Sequence, residues 1–171
     1  MIRRKMMFAV AIGLTTFGSC YATWMAEAAD DAALIKALAG AKVSLQQGLT
    51  ASQREGQPIS AKFELEDGKL QLSIYTAKEG KYFEVIVDHT SGKVTKSELI
   101  TEGDDLTHSK SQSAAMAKAK ASLKDATDKA IGETAGSRAV GVVPSLKDGH
   151  PVATVSLLMG EQFKTVDERL D

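Results

Sequence analysis

The sequence predicts an α+β fold: two α-β-β-β modules, each a helix packed on an antiparallel sheet, behind a cleavable signal peptide. Three observations carry that expectation. Apolar residues recur first at helical spacing and then with a period of two. Asp-Gly and Glu-Gly pairs separate the alternating runs. The whole order then begins again about eighty residues further on.

The chain has 171 residues, 43% hydrophobic and 25% charged, the balance of a globular protein rather than a disordered one. Aromatic residues are only 5%, so the core must be built from Ala, Val, Leu and Ile. A net charge of −1 argues against a protein whose main ligand is a nucleic-acid backbone.

The N-terminus has three parts. Arg3, Arg4 and Lys5 are basic, Met6 to Tyr21 carries no charge, and Ala26-Glu27-Ala28 offers the small-x-small pattern of a cleavage site. Together they predict a secretory signal peptide over residues 1–28. An uncleaved anchor is the competing reading, because Met6 to Ala26 reaches the ~20 residues a spanning helix needs. Thr15, Thr16, Gly18 and Ser19 weaken it. A lipoprotein would use Cys20, but Phe17-Gly18-Ser19 is not a Leu-led lipobox. Cleavage after Ala28 leaves 143 residues with 18 basic and 21 acidic side chains, and removes the only cysteine. A chain without a thiol has no disulfide and no cysteine nucleophile, which suits an oxidising compartment.

The first module is expected over residues 29–105. Leu34, Leu38, Ala41 and Leu45 lie four, three and four apart, which predicts one helix fading by Gly56 and broken at Pro58. Phe63 and Leu65 then alternate with Lys62, Glu64 and Glu66. Asp67-Gly68 supplies the positive-φ residues of a tight hairpin. Leu70, Leu72 and Ile74 share one face of the next strand, Glu79-Gly80 turns the chain, and Phe83, Val85 and Val87 alternate in a third. Thr90 to Lys93 is a further turn, with an edge strand from Val94 to Leu99.

Thr101 to Ser113 reads as a linker. In the second module, residues 106–171, Ser111 or Ser113 is expected to cap a helix bearing Met116, Ala119, Leu123, Ala126 and Ala130 on one stripe, with Gly132 at its stop. Ala139 to Val143 is a strand ended or edged by Pro144. Val152 to Leu158 and Gln162 to Val166 follow, around Asp148-Gly149 and Gly160. Ala41 to Leu45 matches Ala119 to Leu123 at an offset of 78, Asp67-Gly68 matches Asp148-Gly149 at 81, and Gly80 matches Gly160 at 80. A ~60-residue unit is marginal alone, so the two modules should share a core.

The stretch from Tyr82 to Val94, with Phe83, Glu84, Val85, Val87, Asp88, Gly92 and Lys93, resembles the C-terminal signature of the PepSY domain. Asp148 to Val166 resembles it more loosely, keeping the Asp-Gly-x-Pro-Val turn without a later Asp-x-x-x-Gly-Lys element. The resemblance implies helices on an antiparallel sheet outside the cytoplasm, and a role like that of metalloprotease propeptides, which restrain a peptidase. It implies no family-wide catalytic residues.

No catalytic, cofactor-binding or metal-ligating residue is expected. His89, His108 and His150 lack ligand spacing. No phosphate loop, nucleophile elbow or His-Glu-x-x-His helix occurs. Glu64, Glu66 and Glu84 fall on polar strand faces. Lys110, Lys118, Lys120, Lys124 and Lys129 give the second helix a basic flank, interleaved with Asp125 and Asp128 as on a solvated surface. The functional expectation is a periplasmic or secreted non-enzymatic protein that binds, and inhibits or regulates, an exported peptidase or other envelope protein. Contact would be through a strand edge or sheet face near Tyr75, Tyr82 and Phe83. It needs no cofactor and no nucleic acid, and meets the membrane only before cleavage. The alternative is a periplasmic module for a small molecule or metal ion.

Mass spectrometry of the protein from the envelope should find a mature N-terminus near Ala29. Full-length chain held in the inner membrane would overturn this, and a diacylated Cys20 would favour the lipoprotein.

Overall fold

A computed structural model describes residues 21–171, with side chains from Asp30 onward; the basic and apolar stretches of the expected signal peptide lie outside the described residues. The order is α1 (Tyr21–Leu38), α2 (Leu45–Ser52), β1 (Gln57–Glu66), β2 (Lys69–Lys78), β3 (Lys81–Val87) and β4 (Val94–Ile100). It continues with α3 (Gly103–Met116), α4 (Leu123–Glu133), β5 (Arg138–Lys147), β6 (His150–Met159) and β7 (Gln162–Arg169). The fold is mixed α+β. All seven strands form one antiparallel sheet in the order β4-β3-β2-β1-β5-β6-β7.

This is not a pair of α-β-β-β units: two helices and four strands are followed by two helices and three strands. Each long helix expected from the apolar stripe is in fact two. The N–H groups of Lys42 and Val43 both donate to the His89 carbonyl, at 2.9 and 3.0 Å. Those of Lys120 and Ala121 both donate to the Leu170 carbonyl, at 2.6 and 2.9 Å. Donors spent on a strand end cannot continue a helix. A fresh helix then starts at a capping box. Ser44 Oγ accepts from the Gln47 N–H at 3.2 Å while Gln47 Oε1 accepts from the Ser44 N–H at 2.8 Å. Ser122 and Asp125 repeat the arrangement at 3.1 and 3.2 Å.

The expected linker from Thr101 to Ser113 is mostly helix α3. Asp104 and Asp105 in its first turn suit the positive end of the helix dipole. Its buried residues are Ser109, Ala115 and Met116, and Gln112 Oε1 accepts from Ser60 Oγ at 2.8 Å, which sets α3 on the sheet face opposite α2 and α4. Its apolar contacts come mainly from the last turn, so the first turns carry no apolar stripe. Gly132 does not stop the second helix; it lies inside α4, which caps at Thr134, and Gly136 beyond carries the positive φ of 77°. Pro144 sits within β5 rather than at its end. It lies past Val142, the last residue of β5 paired to β1, where a missing N–H costs no central ladder bond.

The hairpins form as expected. Asp67-Gly68, Glu79-Gly80 and Asp148-Gly149 all take positive φ at both positions, the geometry that matches strand twist. Helices α2 and α4 lie side by side on one face, joined where Gln46 Nε2 donates to Asp128 Oδ1 at 3.1 Å. Beneath them a single core takes Leu45, Leu49, Phe63, Leu72 and Ile74 from before α3 and Val142, Val155 and Leu157 from after it. Arg138 at the start of β5 reaches the α1–α2 junction. Its Nη1 donates to the Leu38 carbonyl at 2.9 Å and its Nη2 to the Val43 carbonyl at 3.2 Å. The guanidinium lies 5.1 Å from the Phe63 ring centroid, within cation–π range. Burial lowers its pKa.

Two glycines on facing helices should respond oppositely to alanine. A Cβ on Gly48 would meet Leu72 Cδ2 at 2.7 Å, whereas one on Gly132 meets nothing within 4 Å. In denaturant titrations Gly48→Ala should lose roughly 1–3 kcal/mol by overpacking. Gly132→Ala should gain roughly 0.5–1 kcal/mol from helix propensity. Equal responses would mean α2 does not sit this close to β2.

Candidate functional site

The face of the sheet opposite α2 and α4 is polar at its centre, because alternation sends Lys62 and Glu64 of β1, Ser73 and Tyr75 of β2, and Glu84 of β3 to the same side. Lys62 Nζ lies 2.7 Å from Glu64 Oε2. Ser73 Oγ donates to Glu64 Oε1 at 2.7 Å and accepts from Gln71 Nε2 at 2.8 Å. Lys62 Nζ also stands 5.9 Å from the Tyr75 ring centroid. The Tyr75 hydroxyl donates to Glu84, and its pKa is pushed far above the usual 10.0, first by burial and then by the charges of Glu84, Asp105 and Glu64.

This network consumes its own chemistry. Ser73 is fully buried, so its hydroxyl is spent inside the sheet rather than presented to a substrate. Tyr75 stays a neutral donor. Glu64, Glu66 and Glu84 do lie on this face, as their alternation predicts, and the first two are half-buried.

The remaining sequence candidates are dispersed. His89 sits at the end of β3 and acts through its carbonyl, His108 is exposed on α3, and His150 Nδ1 lies 2.6 Å from Asp171 Oδ2. Among the described residues no group of three His, Cys, Asp or Glu side chains could hold a metal ion. The basic flank is not one surface. Lys110 lies on α3, Lys118 donates to the Gly149 carbonyl at 3.4 Å, and Lys124 and Lys129 sit on α4. Lys124 pairs with Asp128 at 2.6 Å and Lys129 with the buried Glu168 at 2.5 Å. A shallow hollow of about 270 Å³ between α2 and α4 is lined by Gln46, Gln47, Thr50, Ala51 and Lys124. It falls below the ~300–1,000 Å³ of an ordinary ligand pocket.

The two sheet edges differ. β7 is tied down at its end: the Leu170 N–H donates to the Pro151 carbonyl at 2.9 Å. Its Asp167 accepts from Lys147 and, at 2.6 Å, from Thr154, which lowers the Asp167 pKa. In β4 no residue is fully buried, and Leu99 is 50% exposed. Its pairing is with β3 alone. The two-residue turn at Glu79-Gly80 makes Lys78 and Lys81 a hydrogen-bonded pair, and alternation then turns the backbone groups of Tyr82, Glu84 and Ile86 toward β4. Their partners Ile100, Glu98 and Lys96 use their own groups on β3, so those of Ser97 and Leu99 point outward. Tyr82 shares with Tyr75 the face on which α3 lies, while Phe83 is half-buried on the α2 side and pairs with Leu99. The sequence signalled β4 as an edge, but not that Leu99 stands exposed on it.

No helix among the described residues is long and apolar enough to cross a membrane. No family model, curated protein or solved structure matches the chain.

Tyr75 gives the fold a defined alkaline sensitivity. Its proton is retained in the folded state but lost above pH 10 in the unfolded chain, so its contribution is complete below pH 10 and declines as pH rises. Between pH 10 and 11 the wild type should lose roughly 1 kcal/mol more stability than Tyr75→Phe in urea titrations. Parallel declines would mean the phenol ionises freely.

Proposed function

We propose that this chain is an exported, non-enzymatic PepSY-like protein that binds an extended segment of another envelope protein, foremost an exported peptidase, and restrains it. The segment adds as an eighth strand at β4. One observation carries this reading: an open seven-stranded sheet presents at β4 a strand with outward backbone groups at Ser97 and Leu99, beside the half-exposed Leu99 side chain. An unpaired edge is a template for strand addition. The self-satisfied polar network beside α3 and the shallowness of the α2–α4 hollow favour protein contact over small-molecule chemistry.

The same reading takes the chain as two related modules, residues 29–105 and 106–171. Supporting it are the capping boxes at Ser44 and Ser122, the paired N–H captures by His89 and Leu170, and ladder irregularities at Ile59 and Val140.

Ser97→Pro removes an outward N–H while leaving the β3 ladder intact, a substitution an edge strand tolerates. Crosslinked capture of a peptidase from the envelope, and inhibition of that peptidase when purified, should be lost in Ser97→Pro. Both should persist in Thr165→Pro on β7. Equal capture by all three proteins would remove β4 as the docking edge.

A further inference from the structure

We infer that β4 is also a self-recognition strand, pairing antiparallel with β4 of a second copy about a two-fold axis at Ser97. The inference rests on the strand's own pattern and stands whether or not β4 also receives a foreign segment.

Among the registers centred from Lys96 to Glu98, only one suits the charges. Centred on Ser97, it sets Lys96 opposite Glu98 of the second copy and Glu98 opposite its Lys96, on the same face of the joined sheet. A shift of the centre to Lys96 sets Lys96 against itself, and a shift to Glu98 sets Glu98 against itself. Like charges directly opposite are destabilising. Shifts that change the parity of the pairing place side chains on the wrong face. The backbone agrees with the charges. Ser97 has its N–H and C=O turned outward, so Ser97 against Ser97 forms a hydrogen-bonded pair. Lys96 and Glu98 then fall in the flanking non-hydrogen-bonded positions, where side chains come closest. Within one chain Lys96 Nζ is already 2.8 Å from Glu98 Oε1, with both side chains about 45% exposed. Joining two strands makes a four-charge square of alternating sign. Leu99 comes opposite Thr95.

Charged residues on an edge strand ordinarily block pairing. Here they block the two neighbouring registers and favour the one between them. The ladder is short: the register shift between Ile86 and Val87 leaves Thr95 as a bulge, and an interface of this size belongs with weak, transient ones. A dissociation constant on the order of tens of micromolar is expected. The dimer would occupy the edge proposed for a peptidase segment, so self-pairing competes with partner binding.

The test is sedimentation velocity on the processed protein at about 200 µM, with Lys96→Glu, Glu98→Lys and the double exchange, all checked for native circular dichroism. The wild type should dimerise, each single variant should weaken dimerisation about tenfold or more, and the double exchange should restore it. A one-to-one mixture of the two single variants should also form dimers, because each supplies the charges the other lacks. A wild type that stays monomeric at this concentration overturns the inference. So does a dimer indifferent to charge reversal, or a mixture that stays monomeric.

Discussion

The structure depends on the meeting of β1 and β5. Only Ala61 with Val142 and Lys62 with Gly141 align in register, yet this brief ladder merges two groups of strands into one sheet with β1 at its centre. Without it, α2 would cover β1, β2 and β3 while α4 covered β5, β6 and β7, and each small core would be cut open along one side. Small units bury too little of their surface to be comfortable alone. With it, α2 and α4 become neighbours and Val142 and Ala61 share one apolar layer with Ile74 and Val155. Arg138 reinforces the joint from above. Its two bonds to the Leu38 and Val43 carbonyls tie the first residue of β5 to the α1–α2 junction, and Phe63 supplies the surface on which the guanidinium lies.

Joining the sheet at its middle decides where the free surfaces fall. The first strands after each helix pair are interior, so the last strands, β4 and β7, become the outer ones. Because the chain leaves β4 for α3, no described strand folds back to pair with its outer side. β7 is held instead by the Leu170 backbone, which serves both the Pro151 carbonyl and the start of α4. The face opposite α2 and α4 is covered in turn by α3, which Gln112 ties to Ser60 of β1. On that face Glu64, Ser73 and Gln71 satisfy one another at 2.7–2.8 Å. At β4 the architecture leaves exposed backbone and the half-exposed side chain of Leu99.

Much of the fold was legible locally. Period-two runs placed β1, β2 and β3, and the Asp-Gly and Glu-Gly pairs marked turns whose positive φ values are borne by those residues. The apolar stripe through Leu34, Leu38 and Leu45 was real, since all three are buried. It was misleading about continuity, because the break between Leu38 and Leu45 is imposed by the His89 carbonyl, 46 residues beyond Val43. Helix α3 was mostly hidden by composition: Ala115 and Met116 are buried in its last turn, but before them it buries Ser109 and meets the sheet through Gln112, so only its end fell on the expected apolar stripe.

By itself, then, the sequence determined where strands and turns lie and which side of each strand is apolar, because alternation, positive φ and capping are properties of a few neighbouring residues. It also set the charge order of β4, on which register must depend. Tertiary structure alone decided that β1 and β5 are central, that β4 and β7 are edges, and that two expected helices are four. Each of those outcomes rests on a hydrogen bond between residues far apart in the chain. A backbone carbonyl such as that of His89 or Leu170 looks the same in the sequence whether it faces water or ends a helix.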